Sequence, residues 1–258
     1  MTRARNALIL LAGGSGSRMG SDKPKQFMDL KGKPLIWYSL NIAQRSELID
    51  EVVVVASPDH FSDIRNITDR YGFDKVSHIV AGGEERFLSV INGVMAIAGS
   101  AEGCETFSGK PDIILVHDSA RPFLDDGIIG RCLEGVKETG GCVAAVPSKD
   151  TVKLADENGM VTEEPPRKNV WNMQTPQVFD TDIILKAGEL ASEDYRKSKE
   201  SGTPMTQITD DAQMVRLYTK TPIKLVMGSY DNIKITTPVD MLIAEKILEN
   251  GGQSGHIS

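Results

Sequence analysis

Short apolar runs with no polar alternation inside them recur along this chain, at residues 7–11 (ALILL), 51–56 (EVVVVA), 112–116 (DIILV) and 142–146 (CVAAV). A strand that is apolar on both faces has to be covered on both faces, which is the situation of a parallel strand between helices. The segments between these runs read as helices over 34–45, about 58–71 (a polar one), 85–97 (apolar residues at helical spacing) and 125–139. Pro34 suits the first turn of the first of them. A further strand is predicted near 77–80. Strand, loop and helix in repetition predict an α/β fold: a Rossmann-like, mostly parallel sheet with helices on both faces.

The repetition stops near residue 148. Over 148–172 the residues from Thr151 to Leu154 alternate, a polar turn follows at 156–159, and Pro165 and Pro166 come next. This segment reads as a protruding β-arm. Helices are expected near 181–192 and 209–218, and a strand at 223–226. The last helix has a written start, with Thr237 as N-cap, Pro238 at the first position and Asp240 at the third. The expected organisation is one domain over 1–250, with the arm at about 148–172 and a frayed tail at 251–258. No role is legible in residues 193–207.

A formal net charge of −7 argues against nucleic-acid partners, which need broad basic surfaces, yet leaves room for a local pocket that binds a small anion. Cys104, Cys132 and Cys142 are odd in number and show no CxxC spacing, so a reducing cytoplasm is the expected location. The apolar start at 7–12 is too short for a signal peptide and is broken by Gly13, Gly14 and Arg18. No stretch approaches a membrane span.

Residues 11–20 (LAGGSGSRMG) follow the first predicted strand directly. Glycines there let backbone N–H groups approach a polyanion. No Gly-Lys-Ser/Thr closes the loop as in a Walker A motif. Met19 stands where a dinucleotide fingerprint has its third glycine, which counts against a dehydrogenase. What sets the loop apart is its cationic tail, Arg18 and then KPKQ at 23–26. Arg18 and Lys25 can bracket a triphosphate and neutralise the charge that develops in phosphoryl transfer. A flexible surface turn is the plain alternative, and the attached cations argue against it.

With its KPKQF tail, that loop resembles the signature of nucleotidyltransferases that make CDP-linked and other sugar-nucleotide intermediates. Further matches follow in order: GGEERFLSV (82–90), HDSARPF (117–123), SKDTVK (148–153), QTPQVF (174–179), ITDDA (208–212) and NIKITTPVD (232–240). The ordered set resembles the 2-C-methyl-D-erythritol 4-phosphate cytidylyltransferase family of the non-mevalonate isoprenoid pathway. Ribitol-5-phosphate cytidylyltransferases share most of these motifs. Gly13 within LAGG and Ser119 lean toward them, while TDDA and SARP lean toward the methylerythritol family. The resemblance favours 2-C-methyl-D-erythritol 4-phosphate as the acceptor of a CMP group from CTP, with ribitol 5-phosphate as the alternative.

The resemblance implies an enzyme that uses CTP with Mg²⁺ and a polyol phosphate and works as a homodimer. It implies catalytic roles for Arg18, Lys25, Arg167 and Lys234. Leu11, Ala12, Gly13, Gly14, Gly16, Gly82, Gly83, Arg86, Ser89 and Ser119 would bind the nucleotide. Asp118, Arg121, Thr151, Arg167, Thr209 and Lys234 would bind the acceptor, with Thr151 and Arg167 reaching into the neighbouring subunit's site.

The residues themselves support part of this. Asp118 ends an apolar strand, and a carboxylate there suits a ribose, an acceptor hydroxyl or Mg²⁺. Arg121 offers a planar fork, although a buried Asp–Arg pair would need the same two residues. Lys234 is a cation in an apolar, β-branched segment, costly to bury without an anion. GGEER alone is an ordinary helix-start loop, Lys153 suits a solvated hairpin, and His117 reads as a packing or hydrogen-bonding residue. A non-catalytic nucleotide-sensing module is the reading of another class. The joint presence of Arg18, Lys25, Asp118 and Lys234 speaks against it.

Overall fold

A computed structural model describes residues 3–14, 24–99 and 109–251. In chain order the strands are β1 (Asn6–Leu11), a short hairpin of β2 (Asp29–Leu30) and β3 (Lys33–Pro34), β4 (Glu51–Ala56), β5 (Val76–Ala81), β6 (Ile113–Asp118), β7 (Gly141–Pro147), β8 (Leu154–Ala155), β9 (Val161–Glu163), β10 (Trp171–Asp180) and β11 (Lys224–Met227). The helices are α1 (Leu35–Arg45), α2 (Phe61–Tyr71), α3 (Arg86–Ile97), α4 (Asp126–Thr139), α5 (Thr181–Ser201), α6 (Asp211–Thr219) and α7 (Pro238–Glu249).

One sheet runs in the order β11-β7-β10-β6-β1-β4-β5. Its strands are parallel except β10, which is antiparallel to both its neighbours. The mostly parallel sheet read from the apolar runs is therefore present, and alternation along each strand explains its two layers. Leu8, Leu10, Val52 and Val54 share one core with Leu40 of α1, Ile64 of α2, Ile129 of α4 and Ala244 of α7. Ala7, Ile9, Val53 and Val55 share the opposite core with Val94 of α3, Ala187 of α5 and Val215 of α6. Full burial of each Val, Leu or Ile side chain among them stabilises the fold by about 1.5–3 kcal/mol. Among the described residues, no helix is long and apolar enough to cross a membrane.

The last helix starts as expected. The Thr237 hydroxyl accepts from Asp240 N–H, and the Asp240 carboxylate accepts from Thr237 N–H, a complete capping box behind Pro238. The arm is also there: β8 and β9 pair with each other in a sheet of their own. Their turn is closed by Asp156 N–H to Met160 O at 2.9 Å. Leu154, Met160 and Val161 on it are exposed by 48%, 67% and 55%.

Three expectations need correction. The arm does not extend to residue 172, because Trp171 and Asn172 already belong to β10 and pair with β7. The polar Gln174 and Gln177 and the mid-segment Pro176 hid that strand. A register shift between Met173 and Gln177 is the irregularity that lets proline sit inside a sheet. Helix α5 continues past 192 to Ser201. Its outer half is mostly polar, with Tyr195 alone reaching the core against Phe87, so it shows no sustained apolar stripe. The i,i+4 ion pairs Glu193–Lys197 and Arg196–Glu200 support it. Pro34 stands just before α1 as its N-cap rather than inside the first turn. The tail at 252–258 and Cys104 lie outside the described residues.

Candidate active site

Parallel strands end together, and the carboxyl edge of such a sheet is where ligands bind. Leu11, the last residue of β1, is in register with Val55 and with Asp118. The loops leaving β1, β4 and β5 enclose a cleft of about 500 Å³, lined among others by Leu11, Gly13, Gly14, Ser57, Gly83 and Ser89. The first loop is tied down at its base. Ala12 N–H donates to Val55 O at 2.7 Å, Ser119 N–H donates to Leu11 O at 3.0 Å, and Gln26 Nε2 donates to Ala12 O at 2.8 Å. Gly16 and Arg18 lie outside the described residues.

On the opposite wall, Gly82 and Gly83 lead into α3. Ser89 Oγ accepts from Gly83 N–H at 3.0 Å and donates to Glu85 O at 3.3 Å. A Cβ on Gly83 would fall on the Leu88 side chain, so the loop reaches this tight course only with glycine there.

Lys25 begins a helical turn over Lys25–Phe27 and lies across the mouth of the first loop. A Cβ on Gly14 would sit 3.4 Å from Lys25 Cε. Its Nζ donates to Ile235 O at 3.4 Å, one residue beyond Lys234. Two of the expected catalytic cations thus converge from distant parts of the chain.

Lys234 meets an acid rather than open solvent. Its Nζ is 2.7 Å from Asp118 Oδ2. The other oxygen of Asp118 takes Arg86 NH1 at 2.7 Å, and Arg86 NH2 reaches Asp211 Oδ2 at 2.9 Å. Burial alone would raise the Asp118 carboxyl. Arg86, and then Lys234, outweigh burial and hold it well below the usual carboxylate range. Asp211 is wholly buried, and burial pushes it up to about 6 against the pull of Arg86. A row of alternating charges therefore runs Lys234, Asp118, Arg86, Asp211.

The segment that carries Lys234 is held by neutral and backbone contacts. Asn232, fully buried, donates through Nδ2 to Thr175 O at 2.9 Å. Gln174 Nε2 donates to Ser229 O at 2.7 Å. Arg121 NH1 donates to Asn232 O at 2.8 Å, and its NH2 to Met173 O at 3.4 Å. The Arg121 fork thus braces backbone carbonyls, and its ion pair with Asp118, foreseen as an alternative, is not what forms.

His117 is the hydrogen-bonding residue it was read to be. Its ring is fully buried. Nε2 lies 3.1 Å from Arg121 O and Nδ1 lies 2.9 Å from Thr175 Oγ1. Thr175 Oγ1 also accepts from Asp118 N–H at 3.2 Å. One neutral tautomer satisfies all three groups: Nε2–H donates to the carbonyl, and the threonine hydroxyl donates to Nδ1.

The remaining expected acceptor residues stand apart from this cluster. Thr209 is exposed, and its N–H and hydroxyl both donate to Gln213 Oε1. Thr151 and Arg167 are exposed on the arm, where Arg167 Nε donates to Ser148 O at 3.4 Å.

The profile of the 2-C-methyl-D-erythritol 4-phosphate cytidylyltransferase family matches residues 6–250. The chain belongs to this family. It is 43% identical over 239 residues to the family's protein from Lachnospira eligens, covering 93% of this chain and 97% of that one. It is 39% identical over 246 residues to that from Clostridium botulinum, covering 95% and 98%. Among solved structures it is similar to the 4-diphosphocytidyl-2C-methyl-D-erythritol synthase of Anaerococcus prevotii, with a TM-score of 0.75 and 27% identity over 95% of this chain and 96% of that one. It is also similar to the 2-C-methyl-D-erythritol 4-phosphate cytidylyltransferase of Francisella tularensis, with a TM-score of 0.70 and 28% identity over 94% and 99%.

Sequence reasoning passed over Asp211, although it sits in the ITDDA run that marks the family. The signal was the acid pair. Asp210 caps α6 through Gln213 N–H, so its neighbour at the first helical position is free to turn inward. Gln174, Thr175 and Asn232 were also missed, because a neutral amide or hydroxyl in a motif carries no charge to attract notice.

Proposed function

We propose that this chain transfers CMP from CTP to 2-C-methyl-D-erythritol 4-phosphate, releasing pyrophosphate, as a step in isoprenoid precursor synthesis by the non-mevalonate route. The observation that carries this reading is the convergence of Lys25 and Lys234 beside a glycine-lined cleft at the carboxyl edge of the sheet. CTP lies in that cleft, its base against the loop at 82–89 and its phosphates along Gly13, Gly14 and the cations that follow. An acceptor phosphate oxygen attacks the α-phosphorus in line. The new P–O bond forms as the bond to the pyrophosphate oxygen breaks, and pyrophosphate leaves. A phosphate dianion is already a nucleophile, so no general base is required. Arg18 and Lys25 stabilise charge on the α-phosphate and leaving group, while Lys234 and Arg167 hold the acceptor phosphate.

Among the described residues, no cluster of three or more His, Cys, Asp or Glu side chains is built as a metal centre. Asp118 is held by Arg86 and Lys234, so it would meet a Mg²⁺ that arrives on the triphosphate only through the oxygen that Lys234 gives up. That ion keeps phosphate and water ligands and needs one or two carboxylates. When bound, the ion neutralises phosphate charge.

The active unit in this reading is a homodimer whose arms complete each other's acceptor sites. The exposed Leu154, Met160 and Val161 favour it. A cytoplasmic setting suits the buried free thiols of Cys132 and Cys142.

The test is incubation with CTP, Mg²⁺ and either methylerythritol phosphate or ribitol 5-phosphate, followed by ³¹P NMR. A CDP-linked product and pyrophosphate are expected with methylerythritol phosphate. Turnover of ribitol 5-phosphate alone would reassign the acceptor, and turnover of neither would overturn the reading.

A further inference from the structure

Asp211 is the most deeply buried acid at the site, and the transfer chemistry gives it nothing to do. Its side chain is 1% exposed. One oxygen meets Arg86 NH2, while Oδ1 has no hydrogen-bond partner among the described residues. A carboxylate is expensive to keep in such a place, and it persists only where a fixed cation answers it.

That cation is Arg86, which lines the nucleotide cleft at the very start of α3. Its guanidinium is engaged on both sides, one nitrogen on Asp118 and the other on Asp211. Three elements are stitched by this one fork: the end of β6, the start of α3 and the start of α6. The charged groups acting on Asp211 are Arg86, Asp118 and Asp210, while Lys234 pairs with Asp118 and Arg121 acts on both Asp118 and Arg86 through space.

Asp118 has two cations and must give one up. Lys234, 39% exposed, is the one that can move. To receive an acceptor phosphate its ammonium has to leave or share Asp118. The buried Asp118 carboxylate tolerates that only if Arg86 stays. An incoming triphosphate would attract Arg86 as well, because the guanidinium is a strong bidentate phosphate ligand.

We propose that Asp211 is a positioning residue, which pins Arg86 to Asp118 so that Lys234 is released to the acceptor phosphate. Resting on the cytidylyl-transfer reading above, this assigns Arg86 to the upkeep of Asp118 rather than to the triphosphate. A neutral side chain at 211 frees one half of the Arg86 fork. Arg86 then turns to the nucleotide, and Asp118 keeps Lys234 to itself.

The test is a kinetic split in the homogeneous enzyme with CTP, Mg²⁺ and methylerythritol phosphate. Asp211→Asn is expected to raise the acceptor KM and lower kcat, together costing about 10- to 100-fold in kcat/KM for the acceptor. CTP binding by calorimetry is expected to stay within about threefold of wild type or to tighten. Arg86→Lys keeps the charge but cannot span two carboxylates, and it is expected to show the same split. It decides the matter if Asp211→Asn does not fold by its melting curve. Acceptor kinetics within twofold of wild type in the folded variants, or equal loss of CTP and acceptor binding, would overturn the proposal. Wild-type enzyme that makes no product would instead overturn the reading on which it rests.

Discussion

Lys234 Nζ lies 2.7 Å from Asp118 Oδ2, so the two residues expected to hold the acceptor hold each other before it arrives. This explains how a lysine persists in the apolar run around Ile233 and Ile235. Its anion is supplied by the protein and, in the proposed reaction, replaced by the acceptor phosphate. Lys234→Ala should therefore cut kcat/KM for the acceptor by about 10²- to 10³-fold. CTP affinity by calorimetry should stay near normal, since Arg86 still answers Asp118. Loss of CTP binding in this variant would show that the two substrates have been placed the wrong way round.

Lys25→Ala should do the opposite. In the proposed reaction its ammonium meets charge that grows as pyrophosphate leaves, which would make it matter most in the transition state. A fall of about 10²-fold in kcat, with acceptor KM little changed, is the expected result of steady-state assays. A raised acceptor KM at unchanged kcat would contradict that role.

Gly228 offers a test of how firmly the Lys234 segment must be held. A Cβ there would fall on Gln174 Oε1 and come 3.4 Å from Ala145 O. Gln174 is the residue that ties Ser229 to β10. Gly228→Ala should thus push the amide aside and lower stability by about 1–3 kcal/mol. It should also reduce kcat, although residue 228 touches no substrate. Melting temperature and acceptor kinetics read the two effects separately, and a variant altered in neither would show that Gln174 yields freely.

Acid should expose His117. An unfolded imidazole protonates near 6.5, whereas burial lowers the folded ring to about 4. Between those values the unfolded chain binds more protons, so stability falls as pH falls through that window, by about 2 kcal/mol at pH 5. Asp211 acts with the opposite sign over the lower part of it. Its folded carboxyl is raised to about 6, so its contribution grows as pH falls. The informative comparison is therefore wild type against His117→Gln, in which Asp211 is common to both. Melting curves from pH 8 to pH 5 should slope less in the variant, and equal slopes would remove His117 as the cause.

Such outcomes bear on how much of this protein can be read without coordinates. Runs such as EVVVVA announce buried parallel strands because both faces must be apolar, and the cap at Thr237–Asp240 is a local device legible from four residues. The antiparallel β10 was hidden because Pro176 and two glutamines break every local rule for a central strand. Their polar atoms are satisfied only by partners far along the chain, such as Ala212 N–H on Gln177. The same holds at the site. Lys25, Asp118 and Lys234 were legible as charges that need a reason. That Arg86 serves two acids, and that Arg121 serves carbonyls, depends on distances between elements that no motif encodes.

The arm carries the last prediction. Among the described residues its two strands pair only with each other; it exposes Leu154, Met160 and Val161 and carries Arg167 on its return path. An apolar face on a two-stranded ribbon is too small to be stable alone, and a second copy of the chain offers a matching surface by two-fold symmetry. If Arg167 serves the neighbour's acceptor site, defects in Arg167 and Lys25 carried on separate chains gather in a single site of a mixed dimer. Mixing Arg167→Ala with Lys25→Ala protein and allowing subunit exchange then gives dimers in which one site has both defects and the other has neither. Half the dimers are mixed at equal input, so about a quarter of wild-type activity should return from two nearly inactive parents. Exchange is followed independently by native mass spectrometry on differently tagged chains. Recovery fixes Arg167 as a residue of its neighbour's site, whereas exchange without recovery places it in its own chain's site and makes the arm a lid.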